Sequence, residues 1–393
     1  MKKLRVHVIN KYFYPVTAGI ETNLMEVYGR FAKKGHKITM HTSRNTLSKK
    51  NILKKEENIR GMKVIRYDYK WFGFMPRIPF DKVDVISLHN FTIFPNFFVM
   101  FWVIMLKILG KKKFTLILSP QSGFNPDWNS IPKKKKIIKL FLHKTIGKLL
   151  INYSADGIRV ISKWEKEEMI KLGIRKNLIE LIGHGTQEQA LVDNNRVDMQ
   201  FEKKIKESMP FIIQIGRIHP IKNYETSIKS FEKIPKNFKL IIIGQVEEEL
   251  YFKKLQELIN DLDLQERVIF LNSISDEEKY YVLKNAEAMV HMSRHEGYCI
   301  AVHEAMSKGL VCVVSNTTAL PELVADGVNG YCVAPDDENG VYKKLDFIVR
   351  NKNSSIIKKM KENNLLFAKE NTWSKVADKI EDFYLETLRN IFK

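Results

Sequence analysis

Short runs rich in Val, Ile and Leu recur along almost the whole chain, each parted from the next by an amphipathic or polar stretch, and this alternation constrains the fold most. In the first half the runs are 4–10 (LRVHVIN), 36–43 (HKITMHTS), 62–68 (MKVIRYD), 83–89 (VDVISLH), 114–120 (FTLILSP) and 157–162 (GIRVIS). In the second half they are 211–216 (FIIQIG), 239–244 (KLIIIG), 267–272 (RVIFLN), 288–293 (AMVHMS) and 311–316 (VCVVSN). Strands this apolar keep no polar face for water, so they belong in parallel sheets covered by helices on both sides. Residues 21–35 (ETNLMEVYGRFAKKG) supply the first such helix and complete a βαβ unit. The expected class is α/β, with two doubly wound, Rossmann-like domains at 1–183 and 210–371. A polar, weakly periodic connection is expected at 184–209, and an amphipathic helix in the closing segment 372–393. With 393 residues, 44% of them hydrophobic, the chain can fill two cores.

Three cysteines, Cys299, Cys312 and Cys332, show neither paired spacing nor an even count, which argues against a disulfide framework and a zinc site and for a reducing cytoplasm. The N-terminal segment reads as a strand, with no apolar core of an export signal. The most apolar stretch, 97–110 (FFVMFWVIMLKILG), falls short of the roughly 20 residues that span a bilayer and is expected to form a buried helix.

The net charge of +20 is uneven. From Met1 to Leu150, 30 Lys and Arg face 8 Asp and Glu, whereas the remainder has 35 against 37. Much of the excess lies in 110–113 (GKKK) and 133–150 (KKKKIIKLFLHKTIGKLL), where lysines interleave with apolar residues at helical spacing. That pattern suits an anionic membrane surface, although a solvated basic face would look the same. Nucleic acid is disfavoured, since no binding motif or stacking aromatics accompany the lysines.

Open α/β sheets bind ligands at the carboxyl ends of their strands, and the candidate residues gather there. After the first strand of the second half comes IGRIHPIKN, 215–223. Gly216 permits a turn, while Arg217 and Lys222 bring two cations able to hold a diphosphate. The stretch HEGYCIAVHEAMSKG, 295–309, places Glu296 at the mouth of a helix expected to run from Gly297 to Gly309, with amides of Gly297, Tyr298, Cys299 and Ile300 directed at an anion. Glu296 suits sugar hydroxyls and Glu304, two turns on, a ribose. Ala18 and Gly19 form a small-residue loop after the first strand that can approach phosphate through its backbone. It is not a G-x-G-x-x-G fingerprint, which counts against nicotinamide and flavin cofactors.

These motifs, with YPVTAGIE near the N-terminus, SADGIRVIS at 154–162, RVIFLN and the long 295–333 stretch, resemble the retaining glycosyltransferases of family 4, the large GT-B group also described as glycosyl transferases group 1. The resemblance implies two domains facing across a cleft, an acceptor domain first and a nucleotide-sugar domain second, with the C-terminal helix returning to the first. It implies that Arg217 and Lys222 hold the diphosphate, Glu296 the donor sugar and Glu304 the ribose. Gly19, Gly216 and the amides of 297–300 would complete the cradle. No metal and no cofactor are implied, because the cations neutralise the departing diphosphate. Asp261-Leu262-Asp263, the one Asp-x-Asp, reads as a helix end.

The chain departs from the family at three places. Where many members have a histidine, SPQSGFNPDW at 119–128 offers Gln121 or Ser122, neither a base. The usual Gly-Gly before Pro-Glu is NTTALPE, and EGFG becomes EGYC. Base preference should depend on side chains near Phe270 to Ser273. The expected activity is metal-independent transfer of a UDP- or GDP-linked sugar, with retention, to an acceptor hydroxyl. A glycan on a polyprenyl diphosphate, in lipopolysaccharide, O-antigen or capsule synthesis at the cytoplasmic face of the plasma membrane, fits the basic first half. The alternatives are a nucleotide-sugar epimerase of the same fold and a non-catalytic basic protein of membrane surfaces.

Overall fold

The computed structural model describes all residues except 1, 47–48, 71–72, 92, 124–132, 193–196, 273 and 392–393. Residues 124–128 of the departing loop and Ser273 therefore lie outside the described residues. The chain divides into two compact units, Met1–His184 with Trp373–Lys393, and Gly185–Thr372.

Among the described residues the first unit holds eight strands, β1 (Arg5–Ile9), β2 (Lys37–Ser43), β3 (Glu56–Ile59), β4 (Met62–Tyr67), β5 (Val85–His89), β6 (Thr115–Ser119), β7 (Gly157–Val160) and β8 (Ile179–Leu181), in the order β3-β4-β2-β1-β5-β6-β7-β8. Among the strands of the described residues, β3 alone runs antiparallel, against β4. Helices α1 (Gly19–Lys33), α2 (Phe94–Ile108), α3 (Lys133–Leu142), α4 (Lys148–Ser154) and α5 (Lys163–Lys171) connect them. Strand β5 is buried along its length, as is β6, which is what near-continuous apolar runs demand of central parallel strands.

The second unit contains β9 (Phe211–Ile215), β10 (Lys239–Ile243), β11 (Val268–Leu271), β12 (Ala288–His291), β13 (Cys312–Ser315) and β14 (Gly330–Val333), ordered β11-β10-β9-β12-β13-β14 and parallel throughout. Its helices are α6 (Met199–Glu207), α7 (Tyr224–Glu232), α8 (Glu249–Asp261), α9 (Asp276–Asn285), α10 (Ile300–Met306), α11 (Leu320–Leu323), α12 (Glu338–Arg350) and α13 (Ser355–Glu370). Helix α14 (Trp373–Ile391) belongs to the first unit, where its Tyr384 hydroxyl meets that of Tyr28 at 2.7 Å and Glu381 bonds His36 at 2.8 Å.

In local numbering the second sheet has the order 3-2-1-4-5-6, which reverses between β9 and β12. At such a reversal the connections from neighbouring strands depart to opposite faces and leave a crevice at the carboxyl ends. The loops after β9 and β12 flank that crevice. They are the two stretches singled out from the sequence. In the first unit the reversal lies between β1 and β5, next to the loop that ends in Ala18, the N-cap of α1, so that Gly19 opens the helix and does not lie in the loop as expected.

Two expectations need correction. The 97–110 stretch is not a buried helix. Val99, Met100 and Val103 of α2 are in the core, but Phe101, Trp102 and Ile108 face solvent. The apolar composition covers both faces, and one sheet can bury only one of them. The helix expected from Gly297 to Gly309 is shorter, Ile300–Met306, because Cys299 takes a left-handed conformation (φ +81°) that interrupts helical bonding. Residues 184–209, the expected connection, are partly helical. They include α6, whose Ile205 is buried with Phe211 and Ile213 in the second core.

Candidate active site

Strand β9 ends in Gly216, whose N–H donates to Ile243 O (2.9 Å) and whose carbonyl accepts the Tyr224 hydroxyl (2.6 Å). Gly244, at the end of β10, lies directly against it, and a Cβ there would stand 1.8 Å from Gly216 O. No side chain fits, so the turn after β9 sits where it does because position 244 is glycine. The chain then makes a 3-10 turn, Pro220–Lys222, and Asn223 reverses it in the left-handed region (φ +50°) before α7. The buried Gln214 amide donates to Lys222 O at 3.3 Å, tying the turn to its own strand. Arg294 N and Ser293 Oγ donate to Ile221 O at 2.8 and 3.1 Å, which binds the β9 loop to the β12 loop.

This framework brings Lys222 to Glu296. The ammonium lies 2.5 Å from Glu296 Oε1, and both side chains are largely buried. His291, the last residue of β12, reaches the same oxygen through Nε2 at 2.9 Å, and Cys299 Sγ lies 3.3 Å from that nitrogen. The Glu296 backbone N–H donates to Thr318 Oγ1 at 2.9 Å. Burial would raise the Glu296 pKa, but the Lys222 charge and the His291 bond outweigh it and hold the carboxyl well below its ordinary range. The same balance raises Lys222, where burial is overcome by the Glu296 charge. Glu296 is therefore a carboxylate with defined orientation, able to accept further hydrogen bonds but a poor acid.

Arg217 is half-exposed and paired with Glu247. An incoming anion has to replace that carboxylate, an exchange the exposed pair permits. The amides that open α10, from Ile300 on, have no intrahelical acceptor by construction and follow Glu296 closely, whereas Gly297 and Tyr298 precede the helix and are not among its free N–H groups. Glu304 is held by α9. Its Oε1 accepts from Lys279 Nζ (2.8 Å) and the Tyr280 hydroxyl (3.4 Å), both on α9. Burial would lower the Lys279 pKa, yet Glu304 and Asp276 keep it raised.

The structure thus brings Gly216, Lys222, Glu296 and Cys299 together, places Arg217 on the same loop, and puts Glu304 in a separate pair with Lys279. Gly19, the exposed first residue of α1, and Gln121 and Ser122, after β6, belong to the first unit. Sequence reasoning missed His291, Glu247 and Lys279. The signal for His291 was a polar residue closing the apolar run AMVH.

His291 Nε2, Glu296 Oε1 and Cys299 Sγ lie within 4.8 Å of one another, a donor set that suits a soft divalent ion. Lys222 already supplies the positive charge against Glu296, so a metal here has to displace it.

Residues 195–367 match the family model described as glycosyl transferases group 1. An uncharacterized glycosyltransferase of Methanocaldococcus jannaschii is 25% identical over 95% of this chain and 96% of its own. The N-acetylgalactosamine-N,N'-diacetylbacillosaminyl-diphospho-undecaprenol 4-alpha-N-acetylgalactosaminyltransferase of Campylobacter jejuni is 27% identical over 51% of this chain and 53% of its own. Among solved structures, Anabaena HepE in complex with UDP and glucose superposes with a TM-score of 0.74 at 15% identity, covering 97% of this chain and 99% of that one. Residues 195–367 thus match the glycosyl transferases group 1 model, and the chain has the GT-B fold of the solved structures it resembles.

Proposed function

We propose that this protein is a glycosyltransferase that moves a sugar from a nucleoside diphosphate sugar, UDP- or GDP-linked, to an acceptor hydroxyl with retention of anomeric configuration. The observation that carries the reading is the ordered Lys222–Glu296–His291 contact at the strand-order reversal, with Arg217 on the same loop. A buried lysine beside a fixed carboxylate suits a ligand with a phosphate at one end and hydroxyls at the other. Lys222 and Arg217 neutralise the diphosphate, Glu296 accepts from sugar hydroxyls, and Gly216 and the 297–300 amides complete the cradle. Glu304 with Lys279 faces the ribose.

In the proposed step the acceptor oxygen bonds to the anomeric carbon on the face that the diphosphate leaves. The C–O bond to phosphate breaks with its electrons going to the phosphate oxygen, and that oxygen takes the acceptor's proton. No side chain is needed as a base, which fits Gln121 and Ser122 on the acceptor side. The charge on the leaving group is carried by protein cations, so no metal is required.

The acceptor we propose is a glycan on a polyprenyl diphosphate, in bacterial cell-surface polysaccharide synthesis, and its class agrees with the name of the Campylobacter relative. Among the described residues no helix is long and apolar enough to cross a membrane. Phe101, Trp102 and Ile108 of α2 and Tyr153 of α4 are exposed apolar side chains that we propose meet the cytoplasmic leaflet, while Lys107 beside them is paired with Asp156 at 3.0 Å and reaches the Tyr153 carbonyl at 3.1 Å.

Incubation with a panel of UDP- and GDP-sugars and polyprenyl-diphosphate glycans tests the activity. Nucleoside diphosphate release that requires acceptor, and falls about 100-fold or more in Arg217→Ala, is expected. Release without acceptor would indicate the epimerase, and near-normal turnover of the purified Arg217→Ala protein would refute the assignment. In liposome flotation, capture by anionic vesicles but not neutral ones is expected, and capture by neither would return the lysines to an ordinary solvated face.

A further inference from the structure

The turn after β6 is held in an unfavourable conformation. Gln121 and Ser122 are consecutive residues with φ of +50° and +66°, and Asn90, after the neighbouring β5, has +58°. Side chains other than glycine lose roughly 1–2 kcal/mol at each such position, so the surrounding structure has to impose them. The group that does so is Glu165, on the first turn of α5 and 2% exposed. Its Oε1 accepts from Ser122 N at 2.5 Å and its Oε2 from Ile161 N at 2.9 Å, so one carboxylate ties the β6 turn to the end of β7. Gln121 is fixed from the other side, its Nε2 lying 2.8 Å from His89 Nδ1. Burial keeps His89 neutral, with a pKa lowered to about 3. The Gln121 Oε1 is buried and has no partner among the described residues.

We propose that Glu165 is a positioning residue for the transfer reaction, its carboxylate clamping the Gln121–Ser122 turn so that the Gln121 amide oxygen is presented to an incoming hydroxyl. The proposal rests on the transferase reading above. A polar, unpartnered amide oxygen at the carboxyl ends of β5 and β6 is a binding group only while its backbone stays in the left-handed region. Glu165 is not itself in contact with the substrate.

The clamp depends on ionisation. A carboxylate accepts both N–H groups, whereas a protonated carboxyl has one oxygen occupied by its own proton and drops one of them. Facing Glu165 are Arg159, on β7, and the two backbone amides. Arg159 divides its guanidinium among Asn23, Ile182 and Gly183. Burial raises the Glu165 pKa to about 7, against the opposing pull of both N–H bonds and of Arg159. The clamp is therefore complete above pH 7 and loosens below it.

The test uses the full chain and Glu165→Gln, which keeps the shape but replaces one acceptor by a donor. Hydrogen exchange of a peptide covering 119–123 is followed from pH 8 to 5.5, beside transfer kinetics and nucleoside diphosphate binding. Expected for the unmodified protein is protection of the Ser122 amide at pH 8 that fades below pH 7, beyond the intrinsic change in exchange. Expected for the variant is loss of that protection at every pH. Its kcat should fall about ten-fold or more, its rise in rate near pH 7 should vanish, and its affinity for nucleoside diphosphate should be unchanged. Unaltered protection and an unaltered pH profile in Glu165→Gln would overturn the proposal. So would pH-independent protection in the unmodified protein, a measurement that decides the matter even if the variant fails to fold. If the clamp signature is present but no nucleotide sugar is turned over, the transferase reading fails and the clamp stands.

Discussion

Removing one partner of the Lys222–Glu296 pair should damage the second unit and leave the first untouched. In Lys222→Ala the carboxylate keeps His291 but loses its counter-charge. Breaking a buried pair from one side costs about 3–5 kcal/mol. The side chains here retain 14% and 12% exposure, so the lower end, about 3 kcal/mol, applies. With a urea dependence of about 2–3 kcal/mol/M for a unit of this size, the midpoint should drop by about 1 M. The five tryptophans, at 71, 102, 128, 164 and 373, all fall in the first unit. Tryptophan fluorescence therefore follows that unit alone, while far-UV circular dichroism follows both. The expected result is a circular-dichroism transition shifted down by about 1 M beside an unmoved fluorescence transition. Lys222→Met with Glu296→Gln, which removes both charges, should recover more than half of the loss. An unchanged dichroism midpoint in Lys222→Ala, or a double variant as unstable as the sum of the singles, would refute the coupling.

Acid should weaken the first unit. Burial lowers the pKa values of His7, His41 and His89 to about 4, 3 and 3, so each contributes stability that is present above pH 6.5 and lost as pH falls toward those values. Glu165, raised to about 7, acts in the opposite sense, and the balance is a loss of about 3 kcal/mol per pH unit between about pH 6 and 5, read from the fluorescence midpoint in urea. Gly244→Ala drives a Cβ into Gly216 O, so it should displace the β9 turn and weaken nucleoside diphosphate binding about ten-fold or more in calorimetric titration. Glu247→Gln releases Arg217 from an exposed pair worth about 0.2–1 kcal/mol, which predicts nucleotide binding tighter by up to about five-fold at low salt. Cys299→Val puts a β-branched side chain at φ +81° and should destabilise the second unit by about 2 kcal/mol, whereas Cys299→Gly should stay within about 1 kcal/mol of the parent.

The parts of this site that follow from chain direction were legible in the sequence. An apolar run followed at once by Gly216-Arg217 marks a strand end, and all strand ends of one parallel sheet lie together, so the β9 and β12 loops could be paired before any coordinates. The contacts that cross between elements were not legible. His291, Glu247, Lys279 and Glu165 are single polar residues whose partners lie 5, 30, 25 and 43 positions away, and no local periodicity encodes such pairs. The same holds for β3, β8 and β14, three or four residues each, too short to show a pattern. The start of α10 was misplaced because Gly297 and Tyr298 allow a helix, and only the left-handed Cys299 excludes them. Helix α2 was misread because hydrophobicity does not say whether a second layer exists to cover it.

The most direct test of the phosphate grip is a crystal structure with a nucleoside diphosphate bound. The account predicts diphosphate oxygens within about 3 Å of Lys222 Nζ and the amides opening α10, with Arg217 turned from Glu247 onto the phosphate. A diphosphate bound away from the β9 and β12 loops, with the Lys222–Glu296 and Arg217–Glu247 pairs undisturbed, would contradict it.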